Sequence, residues 1–154
     1  MVEEEARSAI VSEALTWVGT PYHSNAMVKK GGTDCVMLLV AVYQKLGLIP
    51  SDVDPRPYPP EWHIHQRDDL YMKGIVKYSH EVRGPPERAP KPGDLVMFQV
   101  GRLFAHGAII IAWPNVVHAR SGNMVQLEDI SKNTIGKRAL WLLPKRFFSI
   151  WAES

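Results

Sequence analysis

The side chains able to do chemistry are few: the 154-residue chain carries one cysteine, Cys35, and six histidines. A lone cysteine has no internal disulfide partner, and without a CxxC pair there is no ribbon to hold a structural zinc. Cys35 is therefore either an inert buried thiol or a reactive one. It follows Gly31-Gly32-Thr33-Asp34 and heads an apolar run that continues to Leu46. A thiol in the first turn of a helix meets the positive end of the dipole and unpaired backbone N–H groups, and both lower its pKa. The neighbouring carboxylate of Asp34 acts the other way, so a thiolate here requires a cationic partner. An imidazole serves that purpose when a third polar group orients it. His106 stands at the start of an isoleucine-rich stretch, and His118 lies twelve residues on, at the end of the next. A hairpin around Pro114-Asn115 gives these two positions a near-opposite register and brings their rings together at one end of a sheet.

Other readings of the same residues stand beside this one. A free cysteine in a helix rich in leucine and valine is commonly a small core hydrophobe, and a strand histidine taken singly is commonly structural. Zinc bound by Cys35, His106 and His118 is a further chemical option. His63 and His65, at i and i+2 in a predicted helix, do not face each other and make a poor metal pair. The conjunction of a helix-start cysteine with two downstream strand histidines favours nucleophile chemistry.

The elements that must position these groups follow from periodicity and punctuation. Ala6, Ile10, Ala14 and Trp17 recur at helical spacing behind Glu3, Glu4 and Glu5, which predicts an amphipathic helix ending at Gly19. A polar loop from Thr20-Pro21-Tyr22 leads to Thr33 and Asp34, either of which can cap the next helix. The run from Cys35 to Leu46, stopped by Gly47 and Pro50, reads as a buried central helix. Five prolines between residues 50 and 60 forbid regular structure there. A short helix is predicted around Trp62 to Met72, then a second breaker-rich stretch from Gly84 to Gly93. Strands are predicted over 94–100, 106–112, 116–119, 124–128 and 139–143. Helices first and strands after predict an α+β fold, with N-terminal helices packed on an antiparallel sheet of about five strands.

Composition narrows the classes further. A length of 154 residues suits one domain spanning 1–154. At 45% hydrophobic and 22% charged the chain has globular usage, and its net charge of +2 is scattered, with no basic stripe for nucleic acid. The acidic start, Met1-Val2-Glu3-Glu4-Glu5, has no apolar core of a secretory signal, so the expectation is a protein that is cytoplasmic when made. The longest apolar run, Ala108 to Trp113, is far short of the roughly 20 residues that span a bilayer.

Several segments together resemble the NlpC family of papain-like cysteine peptidases that act on bacterial cell-wall peptides. They are Trp17-Val18-Gly19-Thr20-Pro21-Tyr22, Gly32-Thr33-Asp34-Cys35, Lys91-Pro92-Gly93-Asp94-Leu95-Val96-Met97-Phe98, His106-Gly107-Ala108-Ile109-Ile110 and Val116-Val117-His118-Ala119. The resemblance implies a papain-like fold with Cys35 as nucleophile, His106 as its base and His118 as the residue that orients His106. Tyr22 matches the tyrosine beside the nucleophile, and Asp34 an aspartate that contacts the free amino group of a stem peptide; its helix-cap role stands alongside. The implied activity is hydrolysis of peptidoglycan stem peptides, at the bond between γ-D-glutamate and the diamino acid, without metal or organic cofactor. The Cys35 backbone N–H is the implied oxyanion donor. Amidase or acyltransferase chemistry on another substrate, and a non-catalytic structural role, are the alternatives. Where the family has a Ser-Gly pair after the cysteine, this chain has Val36-Met37, which removes a hydroxyl and adds bulk. Pro57-Tyr58-Pro59-Pro60-Glu61-Trp62 further resembles the subgroup associated with phage tails, which implies other phage-like particle proteins as partners and delivery to the cell wall within a particle.

Overall fold

In a computed structural model, which describes residues 1–59, 70–132 and 139–153, three helices pack on a six-stranded antiparallel sheet. Helix α1 is Glu3–Leu15, α2 is Cys35–Lys45 and α3 is Leu70–Tyr78. A two-residue pair, β1 (Met27–Val28) and β2 (Gly32–Thr33), precedes α2. The large sheet comprises β3 (His80–Val82), β4 (Leu95–Val100), β5 (Leu103–Ala112), β6 (Asn115–Ala119), β7 (Val125–Asp129) and β8 (Lys145–Ser149), in the order β3-β8-β4-β5-β6-β7. The α+β class, with helices before strands, is the one expected.

Helix α2 is bounded by the groups that predicted it. Asp34 is extended, and its Oδ1 accepts the Met37 N–H at 2.8 Å, which closes the first turn. At the other end Gly47 has φ +70°, and the N–H groups of Gly47 and Leu48 reach back to Gln44 and Tyr43, the left-handed termination that glycine permits. Between these caps nearly every side chain is buried, so α2 fills the centre between α1, α3 and β5. The inward faces of β4 and β5 supply Leu95, Met97 and Ile109 to this core. Val96, Phe98, Ala108, Ile110 and Val116 form a second cluster on the opposite face, closed by Leu140 and Phe147.

The Lys91-Pro92-Gly93-Asp94 segment ties α1 to the sheet. Arg7 reaches Asp94 Oδ1 at 2.8 Å and Arg88 reaches Oδ2 at 3.0 Å, around a carboxylate with no solvent exposure. Gly93 has φ +87°, and a Cβ there would stand 3.2 Å from Ile10 and 3.4 Å from Arg7.

Three expectations about elements change. The strand expected over 139–143 is a single 3-10 turn, Leu140–Leu142, and the strand follows Pro144, at Lys145–Ser149. Proline supplies no N–H for a ladder, so pairing with β4 starts only after it. Strand β3 was not expected; three residues carry no periodicity, and pairing with β8 creates it. The helix expected over Trp62 to Met72 falls mostly on residues outside those described, as do His63 and His65, and α3 extends to Tyr78.

Candidate active site

The hairpin around Pro114-Asn115 forms. Ile109 pairs with Val117 and Ile110 with Val116, and continuing that register sets His118 opposite Ala108, one diagonal step from His106. A diagonal step lies within reach of an aromatic ring. The outcome is direct contact: His106 Nε2 and His118 Nδ1 lie 2.9 Å apart, with ring centroids at 5.1 Å in an edge-to-face arrangement. His118 is fully buried, and its other nitrogen, Nε2, lies 2.9 Å from Glu128 Oε1 on β7. His106 stands across β4 from Phe98, the two rings 5.8 Å apart.

Cys35 approaches the same place from α2. The register between β4 and β5 shifts here, Phe98 pairing with His106 and Gln99 with Phe104, so Ala105 is the extra residue of a bulge immediately before His106. Such bulges re-aim neighbouring groups. The Cys35 thiol donates to the Ala105 carbonyl at 3.8 Å, and the Gly107 backbone N–H is directed at the sulfur. The thiol thus sits on the backbone that brackets His106, bonded to a carbonyl rather than to the ring. Gly107 is tightly enclosed, because a Cβ there would come within 2.7 Å of Tyr71 Oη and 2.8 Å of Met97 Sδ.

The electrostatics differ from the helix-terminus expectation. The backbone N–H groups of Cys35 and Val36 do lower the thiol pKa, but burial and then the charge of Asp34 outweigh them and push it up to about 12. His106 is held well below the ordinary histidine value, first by burial and then by His118 and Arg120. At neutral pH the thiol and the His106 imidazole are therefore both uncharged. Burial, which leaves Cys35 only 9% exposed, thus opposes the low-pKa thiolate expected of an isolated helix start.

Asp34 is 2% exposed and accepts three hydrogen bonds. Oδ1 takes the Met37 N–H, while Oδ2 takes the Asn25 N–H at 2.7 Å and the Tyr58 hydroxyl. Asn25 in turn clasps the Tyr58 backbone, its Nδ2 donating to the Tyr58 carbonyl at 2.8 Å and its Oδ1 accepting the Tyr58 N–H at 2.9 Å. The proline-rich segment is thereby pinned beside the thiol. Tyr22 is half-buried next to Thr33, and its phenol is raised above the usual range by burial and by the nearby Cys35 and Asp34. Tyr71 donates to the Cys35 carbonyl at 2.9 Å.

The structure brings Tyr22, Asp34 and Cys35 together at the start of α2 and His106 and His118 together on β5 and β6; between the two groups, Cys35 touches the backbone on either side of His106 and not its ring. Three more take part: Tyr58 and Tyr71 on the Asp34–Cys35 side, and Glu128 beside His118. The spacing of Tyr71, Ile75 and Tyr78 is a helical stripe that could have flagged Tyr71, and pairing β7 with β6 in alternation could have flagged Glu128. The Val36-Met37 pair resolves differently for each residue. Met37 is fully buried in the core, so its bulk stays out of the site, and Val36 lines an apolar cavity of about 120 Å³ with Leu39, Val53, Tyr71 and Ile75. Among the described residues, no three His, Cys, Asp or Glu side chains are arranged to hold a metal ion, and no helix is long and apolar enough to cross a membrane.

Comparison with known proteins bears on this arrangement. The model of the NlpC/P60 family matches residues 19–143. No curated protein matches the sequence at a significant level. The NlpC/p60 domain of the peptidoglycan hydrolase SagA is 19% identical, with a TM-score of 0.57 over 91% of this chain and 96% of that one. NlpC1 from Trichomonas vaginalis is 15% identical, with a TM-score of 0.63 over 94% of this chain and 43% of that one. RipD from Mycobacterium tuberculosis, a non-catalytic NlpC/p60 protein adapted to peptidoglycan binding, is 14% identical, with a TM-score of 0.55 over 95% of this chain and 98% of that one.

Proposed function

The chain belongs to the NlpC/P60 family, and from that membership we propose that it is a cysteine endopeptidase of peptidoglycan stem peptides, cutting between γ-D-glutamate and the diamino acid. The observation that carries the reading is the contact of His106 Nε2 with His118 Nδ1 at 2.9 Å, formed where the Cys35 thiol lies against Ala105 and Gly107. Both reactants start uncharged, so the step is general-base catalysis rather than attack by a preformed thiolate. Sγ attacks the γ-carbonyl carbon as its proton moves to His106 Nδ1. The Cys35 backbone N–H receives the developing oxyanion. His106 then gives the proton to the departing amine of the diamino acid, leaving a thioester on Cys35. Water, deprotonated by His106, attacks the thioester and releases the γ-glutamyl carboxylate with the thiol restored.

Tyr22 and Asp34 are assigned to substrate. In this reading the free amino group of the stem takes the place of the Tyr58 hydroxyl on Asp34 Oδ2, so binding and release of the proline-rich segment are coupled. The resemblance of Pro57 to Trp62 to the phage-tail subgroup supports a place in a particle, which would deliver the enzyme to the wall. Incubating muropeptides or sacculi with the protein tests the activity. Mass spectrometry should find fragments ending in free γ-D-glutamate with the wild type and none with Cys35→Ala; equal product from both would refute the mechanism.

A second reading is favoured by one observation: the thiol is pushed up to about 12 and is bonded to a carbonyl. A protein of this fold that binds wall peptide without cutting it, as the name of RipD describes for that protein, would retain sacculi in a pull-down while releasing no fragment.

A further inference from the structure

Beyond His106 and His118, a third side chain is built into the same line of contacts. Glu128 Oε1 lies 2.9 Å from His118 Nε2, 3.2 Å from Gln126 Nε2 and 3.7 Å from an Arg120 guanidinium nitrogen. Two hydrogen-bonding nitrogens and the nearby Arg120 charge hold this one oxygen. Glu128 is placed to do this by β-sheet alternation: His118 pairs with Gln126, and Val116 with Glu128, so Glu128 lies diagonally across from His118.

We propose that Glu128 is a positioning residue that sets the tautomers of His118 and His106, and with them which nitrogen of His106 is free to take a proton. An ionised carboxylate has no proton to donate, so His118 Nε2 must carry the hydrogen in that contact. A neutral imidazole has one donor and one acceptor nitrogen, so His118 Nδ1 is left as the acceptor. Its partner at 2.9 Å, His106 Nε2, must then be the donor, and His106 Nδ1 is left with the lone pair that takes the thiol proton. Without the carboxylate the two-ring chain can run in either direction, and in the reverse direction Nδ1 of His106 is already protonated and useless as a base. The carboxylate is held below the ordinary glutamate range, first by the hydrogen bond with His118 and also by the charge of Arg120, so it stays ionised across the working range. After the proton arrives on His106, the same carboxylate stabilises the positive charge through His118. The catalytic use of the relay rests on the peptidase reading; the order of tautomers does not.

The test is ¹⁵N–¹H correlation of the histidine rings in the uniformly labelled protein at neutral pH, with His106 and His118 assigned by His106→Gln and His118→Gln. The wild type should show Nε2–H and bare Nδ1 in both rings. Glu128→Leu should lose this single pattern, and kcat on a muropeptide should fall about 10- to 100-fold at unchanged KM, the scale at which carboxylates that orient metal-bound histidines act. Glu128→Gln, whose amide oxygen still accepts, should keep the pattern. A wild-type His106 with hydrogen on Nδ1, or a Glu128→Leu protein with the wild-type pattern, overturns the proposal, and the first of these needs no variant to fold. A protein with the expected tautomers that cleaves no stem peptide refutes the peptidase reading alone. One that cleaves with the opposite tautomers refutes the role of Glu128 alone.

Discussion

Replacing Asp34 by asparagine separates the two roles that meet on its carboxylate. Asparagine caps a helix as well as aspartate does, so the Oδ1 bond from the Met37 N–H at 2.8 Å is kept. The other oxygen becomes an amide NH₂, which faces the Asn25 N–H that Oδ2 accepted at 2.7 Å. A buried donor left without a partner costs about 1–3 kcal/mol. The Tyr58 hydroxyl can rotate and accept from the new amide, so it adds little. A loss near 2 kcal/mol moves the unfolding midpoint of a chain this long down by about 4–8 °C. Asp34→Ala also forfeits the cap and should be lower by roughly a further 1 kcal/mol. The thiol responds in the opposite sense, because the Asp34 charge is the second cause, after burial, of its raised pKa. Each unit by which that pKa falls is tenfold in thiolate, so Asp34→Asn should alkylate with iodoacetamide about three- to tenfold faster at pH 8. Urea unfolding and pseudo-first-order alkylation measure the two effects. An Asp34→Asn protein within about 0.5 kcal/mol of the wild type, or an unchanged alkylation rate, would refute this account of Asp34.

Other expected outcomes follow from the same contacts. His106 is held below its unfolded value of 6.5, so the unfolded chain binds the proton more readily, and stability should fall as pH drops below about 6.5; in His106→Gln that part of the acid limb should flatten in urea titrations across pH 5–7. Cys35 lies above its unfolded value of 9.0, at about 12, so the wild type should lose stability as pH rises between these values, and Cys35→Ala should not lose this contribution. Gly107→Ala forces a methyl against Tyr71 Oη and Met97 Sδ, at about 1–3 kcal/mol by overpacking, read by thermal unfolding. Tyr58→Phe removes the donor that competes for Asp34 Oδ2, so KM should fall for a stem peptide with a free amino terminus and stay unchanged for its acetylated form.

What the sequence made legible is what local chemistry encodes. Asp34 and Gly47 bracket α2 by capping rules that need no tertiary knowledge, and the Pro114-Asn115 turn sets the register that joins His106 to His118. Glu128, Tyr58 and Tyr71 were not singled out, because each reaches the site across the fold: Glu128 by alternation on the next strand, Tyr58 through the Asn25 clasp, Tyr71 from α3. The thiol pKa went the other way for a related reason. A helix terminus is local and favours thiolate, whereas the burial that reverses it depends on how β5 and α3 close over Cys35. Strand β3 and the 3-10 turn at Leu140–Leu142 are likewise products of pairing and packing with β8 and the outer core.

In the proposed reaction Cys35 takes the γ-glutamyl group of a stem peptide as a thioester. Rapid acid quench of the protein with a muropeptide, followed by peptide mapping with mass spectrometry, tests it most directly. The acyl mass should appear on the peptide holding Cys35 at early times, decay as product accumulates, and be absent from His106→Ala. Product formed at the wild-type rate by Cys35→Ala, or an acyl group mapped to another residue, would contradict it.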